Sequence, residues 1–173
     1  MKYIEENKEV LYSNESTSLA SKIDVDFLKK KALLNSRKRI RSCFHKDQAD
    51  SLHEMFIIHD KHTYVRPHKH PGKSESTHII EGLVDIVLFD DDGKINQVIN
   101  MGNYESGKTF YFRMTEPVYH TLLIRSEFLI FHEITNGPFD KSATLFAPWA
   151  PKEDDINLTA DFLANLNEKI CSI

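Results

Sequence analysis

The chain has 173 residues, of which 40% are hydrophobic and 28% are charged, which is ordinary for one folded domain with a single core. Its net charge of −4 and its pI near 6.1 exclude the basic footprint of a nucleic-acid-binding domain. No run of residues is apolar enough to predict a signal peptide or a membrane span. With only two cysteines, Cys43 and Cys171, we predict free thiols in a cytoplasmic protein.

The N-terminal part predicts an arm followed by one helix. Residues 1–20 are polar and predict a loop or an extended arm. From Asp24 to about Asn35, apolar residues recur at helical spacing, which predicts a short amphipathic helix. The residues that set this spacing are Val25, Leu28, Ala32 and Leu33.

The central part predicts many short strands. Segments rich in β-branched and aromatic residues follow one another at short intervals, and the turn signal Asp90-Asp91-Asp92-Gly93 predicts a hairpin between two of them. This pattern is typical of an all-β antiparallel sandwich or barrel, with jelly rolls among the candidates. The predicted strands cover residues 40–44, 55–59, 63–66, 77–80, 84–89, 95–100, 109–112, 119–124 and 128–135.

The C-terminal part changes to a loop after Gly137 and then predicts a closing helix over residues 158–170. There is no internal repeat and no low-complexity linker. We therefore predict a single β-barrel domain over residues 36–152, an N-terminal arm with its short helix over residues 1–35, and a helical tail over residues 153–173.

The pattern His68-x-His70-x4-Glu75 predicts a metal site. Side chains two residues apart on an extended segment point the same way, so both imidazoles can reach one point. Glu75 returns after the short Pro-Gly turn and can supply a carboxylate ligand. Neutral imidazole and carboxylate suit one divalent ion, with zinc expected first and iron, manganese or nickel as alternatives.

A further ligand is expected, and two histidines compete for the role. His120 lies near the start of a strong predicted strand, and a rolled sheet can bring it back to the first two histidines. His78 is an odd number of residues from Glu75, so the two point to opposite faces of a strand unless a bulge intervenes. We favour His120.

The metal pattern resembles the first motif of the cupin superfamily, G-x5-H-x-H-x3,4-E-x6-G. The leading glycine is replaced by His62, and of the second cupin motif only His120 remains. The resemblance implies a double-stranded β-helix, or jelly roll, that holds a metal ion between two sheets. The positions that match the first motif are His68, His70, Glu75 and Gly82.

Residues 36–153 resemble more closely the WbuC-type family of cupin-fold metalloproteins. Members of that family are often encoded among genes for bacterial surface polysaccharide, and their reaction is not established. The resemblance implies fold and metal ligands directly, and function only by association. The segments that carry it are Ser36-Arg37-Lys38-Arg39, Phe44-His45-Lys46, Tyr64-Val65-Arg66-Pro67-His68-Lys69-His70-Pro71, Phe89-Asp90-Asp91-Asp92-Gly93, Asn136-Gly137-Pro138-Phe139 and Phe146-Ala147-Pro148-Trp149-Ala150-Pro151.

Four residues are predicted to bind the substrate around the metal. The guanidinium groups of Arg39 and Arg66 suit a carboxylate or phosphate, and the rings of Tyr64 and Tyr119 offer flat apolar surface to a sugar. For Arg41 we favour a surface ion pair, although it has the same strand parity as Arg39.

Our leading hypothesis is a metal-dependent enzyme of surface polysaccharide biosynthesis that isomerises or epimerises a sugar or nucleotide sugar. The alternatives are a non-catalytic metal-dependent carbohydrate-binding module and an iron-dependent oxygenase. No catalytic residue is identified by pattern, since Glu133 fits a buried acid or base as well as an outward-facing side chain. Edge strands favour a homodimer, and neither nucleic acid nor a membrane is expected as a partner.

Overall fold

The computed structural model describes residues 2–172, so that Met1 of the predicted arm and Ile173 of the predicted tail lie outside the described residues. Two β-sheets pack face to face, and one α-helix covers the outer face of each. The strands are β1 (Tyr3–Asn7), β2 (Val10–Ser13), β3 (Arg39–Cys43), β4 (Leu52–Asp60), β5 (His68–Lys69), β6 (Glu75–Glu81), β7 (Leu83–Phe89), β8 (Ile95–Gly102), β9 (Tyr111–Met114), β10 (Tyr119–Ile124), β11 (Phe128–Asn136) and β12 (Leu145–Phe146). The helices are α1 (Lys22–Leu34) and α2 (Ile156–Cys171).

The strand order is that of a jelly roll. The larger sheet runs β1-β2-β3-β4-β11-β6-β9 and the smaller sheet runs β12-β5-β10-β7-β8. Strands β4 to β11 pair antiparallel as β4 with β11, β5 with β10, β6 with β9 and β7 with β8, which is one long hairpin rolled over two sheets. The all-β fold with short helical flanks, a cupin-type double-stranded β-helix, is therefore confirmed.

Alternation of side chains along the strands divides the core into layers. In β11, Phe131 faces the space between the sheets while Ile130 faces α1, because successive residues of a strand point to opposite faces. The buried residues between the sheets are Cys43, Met55, Ile57, Ile79, Val84, Ile86, Leu88, Met101, Leu129 and Phe131.

Helix α1 begins at a capping box and ends as the sequence predicts. The Asp24 carboxylate accepts hydrogen bonds from the backbone N–H and the hydroxyl of Ser21, both at 2.8 Å, and Asn35 is the C-terminal cap. Its buried face, which includes Leu28, packs on the outer face of the larger sheet against Ile40 and Ile58.

Helix α2 covers the outer face of the smaller sheet. Leu166 packs with Val87 and Phe89, and the loop residues Ala147 and Ala150 complete this layer. Among the described residues, neither helix is long and apolar enough to cross a membrane.

Residues 3–7 and 10–13 form strands rather than a loop, whereas residues 14–20 have no regular structure, so the prediction of a loop or an extended arm is wrong only for the two strands. Strand β2 pairs parallel with β3, with Val10 opposite Arg41, and β1 pairs antiparallel with β2. Leu11 is fully buried and joins the layer beneath α1. The exposed positions of β1 include Glu5 and Glu6, and neither short strand shows a clear two-residue alternation, which explains why this segment predicts a loop or an extended arm.

The strand predicted over residues 63–66 is also wrong, because these residues have no regular pairing and β5 begins only at His68. Pro67 has no backbone N–H to donate to a sheet. The segment is held through side chains instead: the Thr63 hydroxyl donates to Lys38 O at 2.9 Å, and Thr121 donates to Val65 O.

Gly82 is required by the tight turn between β6 and β7. It has a φ of +96°, and a Cβ at this position would overlap the carbonyl oxygen of Phe128. We expect Gly82→Ala to lower the free energy of unfolding by about 3 kcal/mol, from backbone strain and the clash together. Urea unfolding measures this. Gly72→Ala is the matched control, since Gly72 has a φ of +74° but open space around it, and it should cost only about 1 kcal/mol. Equal losses in both variants would contradict the role of the close contact.

Candidate metal centre

Two of the predicted ligands face each other across paired strands. His68 of β5 lies directly opposite His120 of β10, and their ring centroids are 4.6 Å apart. The ring of His70, two residues after His68, lies 4.8 Å from that of His68 and 6.0 Å from that of His120. Because β10 alternates, His120 points between the sheets, and so do the two other imidazoles that contact it.

The three imidazoles each offer one free ring nitrogen to a common point. One ligand atom from each of His68, His70 and His120 lies within 4.8 Å of the other two. The other ring nitrogen, Nδ1, has a hydrogen-bond partner in each case, which fixes the ring orientation. In His68 and His120 that partner is a carbonyl oxygen, so Nδ1 donates and Nε2 keeps its lone pair for a metal. The Thr144 hydroxyl beside His70 can either donate or accept. The Nδ1 atoms of His68, His70 and His120 lie 2.7 Å from Arg66 O, 3.3 Å from the Thr144 hydroxyl and 3.0 Å from Val118 O.

Glu75 reaches the same point from the opposite sheet. It is the first residue of β6, and its carboxylate oxygens lie 3.6 Å from His70 Nε2 and 3.9 Å from His120 Nε2. The structure therefore brings all four predicted ligands together, and their donor set fits one divalent ion. His78 lies on the other face of β6, exposed beside Phe110 with ring centroids 5.6 Å apart.

Burial shapes the protonation of these four groups. It lowers the pKa of His68 and His120 below the ordinary histidine value and lowers the pKa of His70 to about 4. The rings are therefore neutral near pH 7, which is the form that binds a metal. Burial also raises the pKa of the Glu75 carboxyl, so that a bound cation would replace a proton there.

Glu133 is the neighbouring acidic group, and the structure places it between the sheets. On β11 it lies two residues after Phe131 of the core and therefore faces the same side. It pairs with Thr77 of β6, while Glu75 pairs with Thr135 on the same face. Burial raises the pKa of Glu133 first, and the charge of Glu75 raises it further. The sequence left open whether the Glu133 side chain points inward or outward, and the structure shows it pointing inward. Its shared strand parity with the apolar Phe131 is the signal that could have predicted this.

The predicted substrate arginines are both engaged by the protein. Arg39 contacts Glu153 at 3.1 Å and Glu9 at 3.5 Å, and its side chain is only 16% exposed. Arg66 donates to Ala147 O at 3.1 Å and stacks over Phe146 at 5.0 Å from the ring centroid. Arg66 lines a groove of about 670 Å³ beside the start of α2, outside the set of imidazoles.

The two predicted tyrosines lie away from the imidazoles. Tyr119 points to the opposite face of β10 from His120 and packs against Trp149, with ring centroids 6.0 Å apart. The Tyr64 hydroxyl donates to Pro151 O at 3.0 Å, and its ring contacts Phe162 of α2. The structure brings neither ring to the candidate centre.

Comparison with known proteins gives one family and distant structural likenesses. Residues 21–101 match the model of a domain of unknown function, DUF6016. No curated protein matches the chain by sequence.

The solved structures are similar at low identity. Protein SO0799 of Shewanella oneidensis is 8% identical, with a TM-score of 0.48 over 60% of this chain and 66% of that one. The oxalate decarboxylase of Bacillus subtilis, described with Mn(II) centres, is 17% identical, with a TM-score of 0.44 over 56% of this chain and 24% of that one. That of Lactobacillus farciminis, in a formate complex, is 14% identical, with a TM-score of 0.45 over 56% and 27%. The match thus spans about two thirds of the first relative and about a quarter of the decarboxylases.

Proposed function

We propose that this chain is a metal-dependent enzyme in which His68, His70, His120 and Glu75 hold one divalent ion. The observation that carries the proposal is the convergence of one ligand nitrogen from each of three imidazoles within 4.8 Å, with the Nδ1 atom of each ring held by a hydrogen bond. Zinc is proposed first, and iron, manganese or nickel would suit the same donors. When bound, the ion would polarise a carbonyl or hydroxyl oxygen of a substrate or acidify a bound water.

Glu133 is proposed as the group that moves a proton. It lies on the inner face of β11 near Glu75 and His120, and it is not one of the four proposed ligands. Isomerisation and epimerisation of a sugar require a proton to leave a carbon atom and return. A carboxyl whose pKa burial raises towards neutrality can accept and return that proton at its carboxylate oxygen.

The substrate is proposed to be a sugar or nucleotide sugar of surface polysaccharide biosynthesis. Support for this finer assignment comes from the resemblance of residues 36–153 to the WbuC-type family and from the proton-transfer chemistry available to Glu133. A cytoplasmic homodimer is part of the same proposal. The free edges of β1 and β9 in the larger sheet offer unpaired backbone groups for subunit contact.

Exchange of substrate hydrogen with solvent tests the enzyme directly. Metal-loaded protein is incubated with a panel of nucleotide sugars in D₂O, and deuterium incorporation is followed by NMR. The wild type should label one substrate carbon, and Glu133→Gln should slow labelling by about 100-fold or more while still binding metal.

Absence of labelling and of product with every sugar would contradict the enzymatic proposal. Stabilisation of the metal-loaded protein by a sugar without any product would instead identify a carbohydrate-binding module.

A further inference from the structure

Arg41 lies on the inner face of the larger sheet. On β3 it lies two residues before Cys43, which belongs to the core between the sheets, so both side chains point to the same face. It pairs with Val10 of β2 and Ile57 of β4. Ile40, the residue before it, points the other way and packs beneath α1. The expectation of a surface ion pair for Arg41 is therefore wrong, because strand parity directs its side chain between the sheets.

Within the part of the chain that the structure describes, the Arg41 guanidinium has no protein partner. Over residues 2–172, its side chain makes no hydrogen bond or ion pair, whereas the neighbouring Arg37 and Arg39 share Glu9 and Glu153. The side-chain nitrogens of Arg41 are not among the buried, unpaired polar atoms of residues 2–172, so water solvates them. A ligand on the inner face can replace that water at the N–H donors of the guanidinium.

Arg41 and the candidate metal centre both face the space between the two sheets. Its charge acts on Cys43, on His59 and on Glu133, which lies two strands away, roughly 10 Å across the sheet. Arg41, Glu133 and Glu75 all keep part of their surface exposed although they face inward. Water therefore reaches all three side chains.

We propose that Arg41 is the anion-binding residue of this site, and that the natural ligand carries a carboxylate or phosphate in addition to the oxygen that reaches the metal. The proposal rests on the proposed metal centre and narrows its substrate class. Uncharged sugars are excluded as preferred ligands, while uronates, sugar phosphates and nucleotide sugars are retained. A planar guanidinium can hold either anion through two parallel hydrogen bonds.

Binding of simple anions to the cobalt-loaded protein tests the proposal. The probes are malonate, succinate and glutarate, whose two carboxylates lie progressively farther apart, and phosphonoacetate, which replaces one carboxylate by a phosphonate. Succinamide is the uncharged control. We expect at least one of the anions to perturb the visible cobalt spectrum, and Arg41→Gln to raise its dissociation constant about 10-fold or more. Arg41→Lys should recover part of the affinity, since it keeps the charge and loses the fork.

Arg113→Gln is the matched control, since it removes one positive charge from the outer face of the same sheet, where Arg113 donates to Ser76. It should change anion affinity less than twofold. Circular dichroism and metal content must be unchanged in Arg41→Gln for its binding data to count. If Arg41→Gln is unfolded, the Arg41→Lys variant supplies the comparison.

The outcomes separate the two proposals. If the protein binds cobalt but equal affinities are found for wild type and Arg41→Gln, or if succinamide binds as well as succinate, the role of Arg41 is wrong and the metal centre stands. If no metal binds, the proposed function fails. In that case, thermal unfolding measures whether the anions stabilise the metal-free protein. Stabilisation that is lost in Arg41→Gln supports the anion-binding role of Arg41, and stabilisation that is unchanged in that variant overturns it.

Discussion

Replacing His68 with alanine should abolish tight metal binding and the stability that depends on it. The wild type is expected to hold about one equivalent of a divalent ion. At a free metal concentration 100 times the dissociation constant, binding should stabilise the fold by about 2.7 kcal/mol. Loss of a residue that only orients a ligand already costs about 10- to 100-fold in metal affinity, so loss of the central imidazole should cost more. Elemental analysis and thermal unfolding with and without a chelator measure the two effects.

His78→Ala is the matched control for this experiment. His78 lies on the outer face of β6, exposed beside Phe110. The substitution therefore removes an imidazole close in sequence to the candidate ligands without changing the interior. It should retain the metal and the shift in unfolding temperature on chelation. A wild-type protein that is unaffected by chelator, or a His68→Ala protein that still binds one equivalent tightly, would refute the metal centre.

The position of the metal candidates is readable from the sequence because it depends on local geometry. His68 and His70 are two residues apart on an extended segment, and Glu75 follows a short turn, so their approach does not depend on distant packing. His120 needed one further step, the return of a strand in a rolled sheet, which the pairing of β10 with β5 supplies. The jelly roll itself follows from many short strands divided by turn residues.

The residues around the metal are harder to predict because they depend on strand parity and on loops. Arg41 and Glu133 both point inward, yet each lies in a segment where either face is compatible with the local composition. Tyr119 directly precedes a candidate ligand in sequence and is therefore turned away from it. Arg66 instead contacts Ala147 and Phe146, which lie 81 and 80 positions later in the chain. No local sequence pattern predicts that these residues lie close to it.

The N-terminal segment shows a different limit of sequence reasoning. Strands β1 and β2 are short, and β1 is mostly exposed while β2 is half-buried, so their residues give little hydrophobic periodicity. Their stability comes from pairing with β3 and from Leu11 beneath α1, which are tertiary contacts. The same reasoning explains why α1 was predictable: its capping residues and its buried stripe both lie within the helix itself.

The metal-free protein should lose stability as the pH rises from about 6.5 to 8, and Glu133→Gln should remove a large part of that loss. Burial raises the pKa values of Glu75 and Glu133, so the folded state holds protons that the unfolded state has already released. Stability from these groups is therefore complete below their ordinary pKa and is lost as the pH passes the raised values. Each unit of raised pKa corresponds to about 1.4 kcal/mol.

The histidines do not obscure this slope. Burial lowers the pKa values of His68, His70 and His120, so above about pH 6.5 they are largely neutral in both the folded and unfolded states. They change the stability only at lower pH, where the histidines of the unfolded chain bind protons and the buried rings of the folded state stay neutral. Between the ordinary carboxyl and histidine pKa values the two effects oppose each other, so the loss due to the carboxyls stands alone only above about pH 6.5.

Urea unfolding in the presence of a chelator, at several pH values, measures the effect. Glu116→Gln is the control, since Glu116 is exposed in the loop between β9 and β10, and it should follow the wild-type slope. With saturating metal the loss above about pH 6.5 should largely disappear, because the cation replaces the proton on Glu75 and offsets the buried charges. If metal-free Glu133→Gln loses stability as steeply as the wild type, Glu133 is not the buried acid beside the metal that its place on β11 implies.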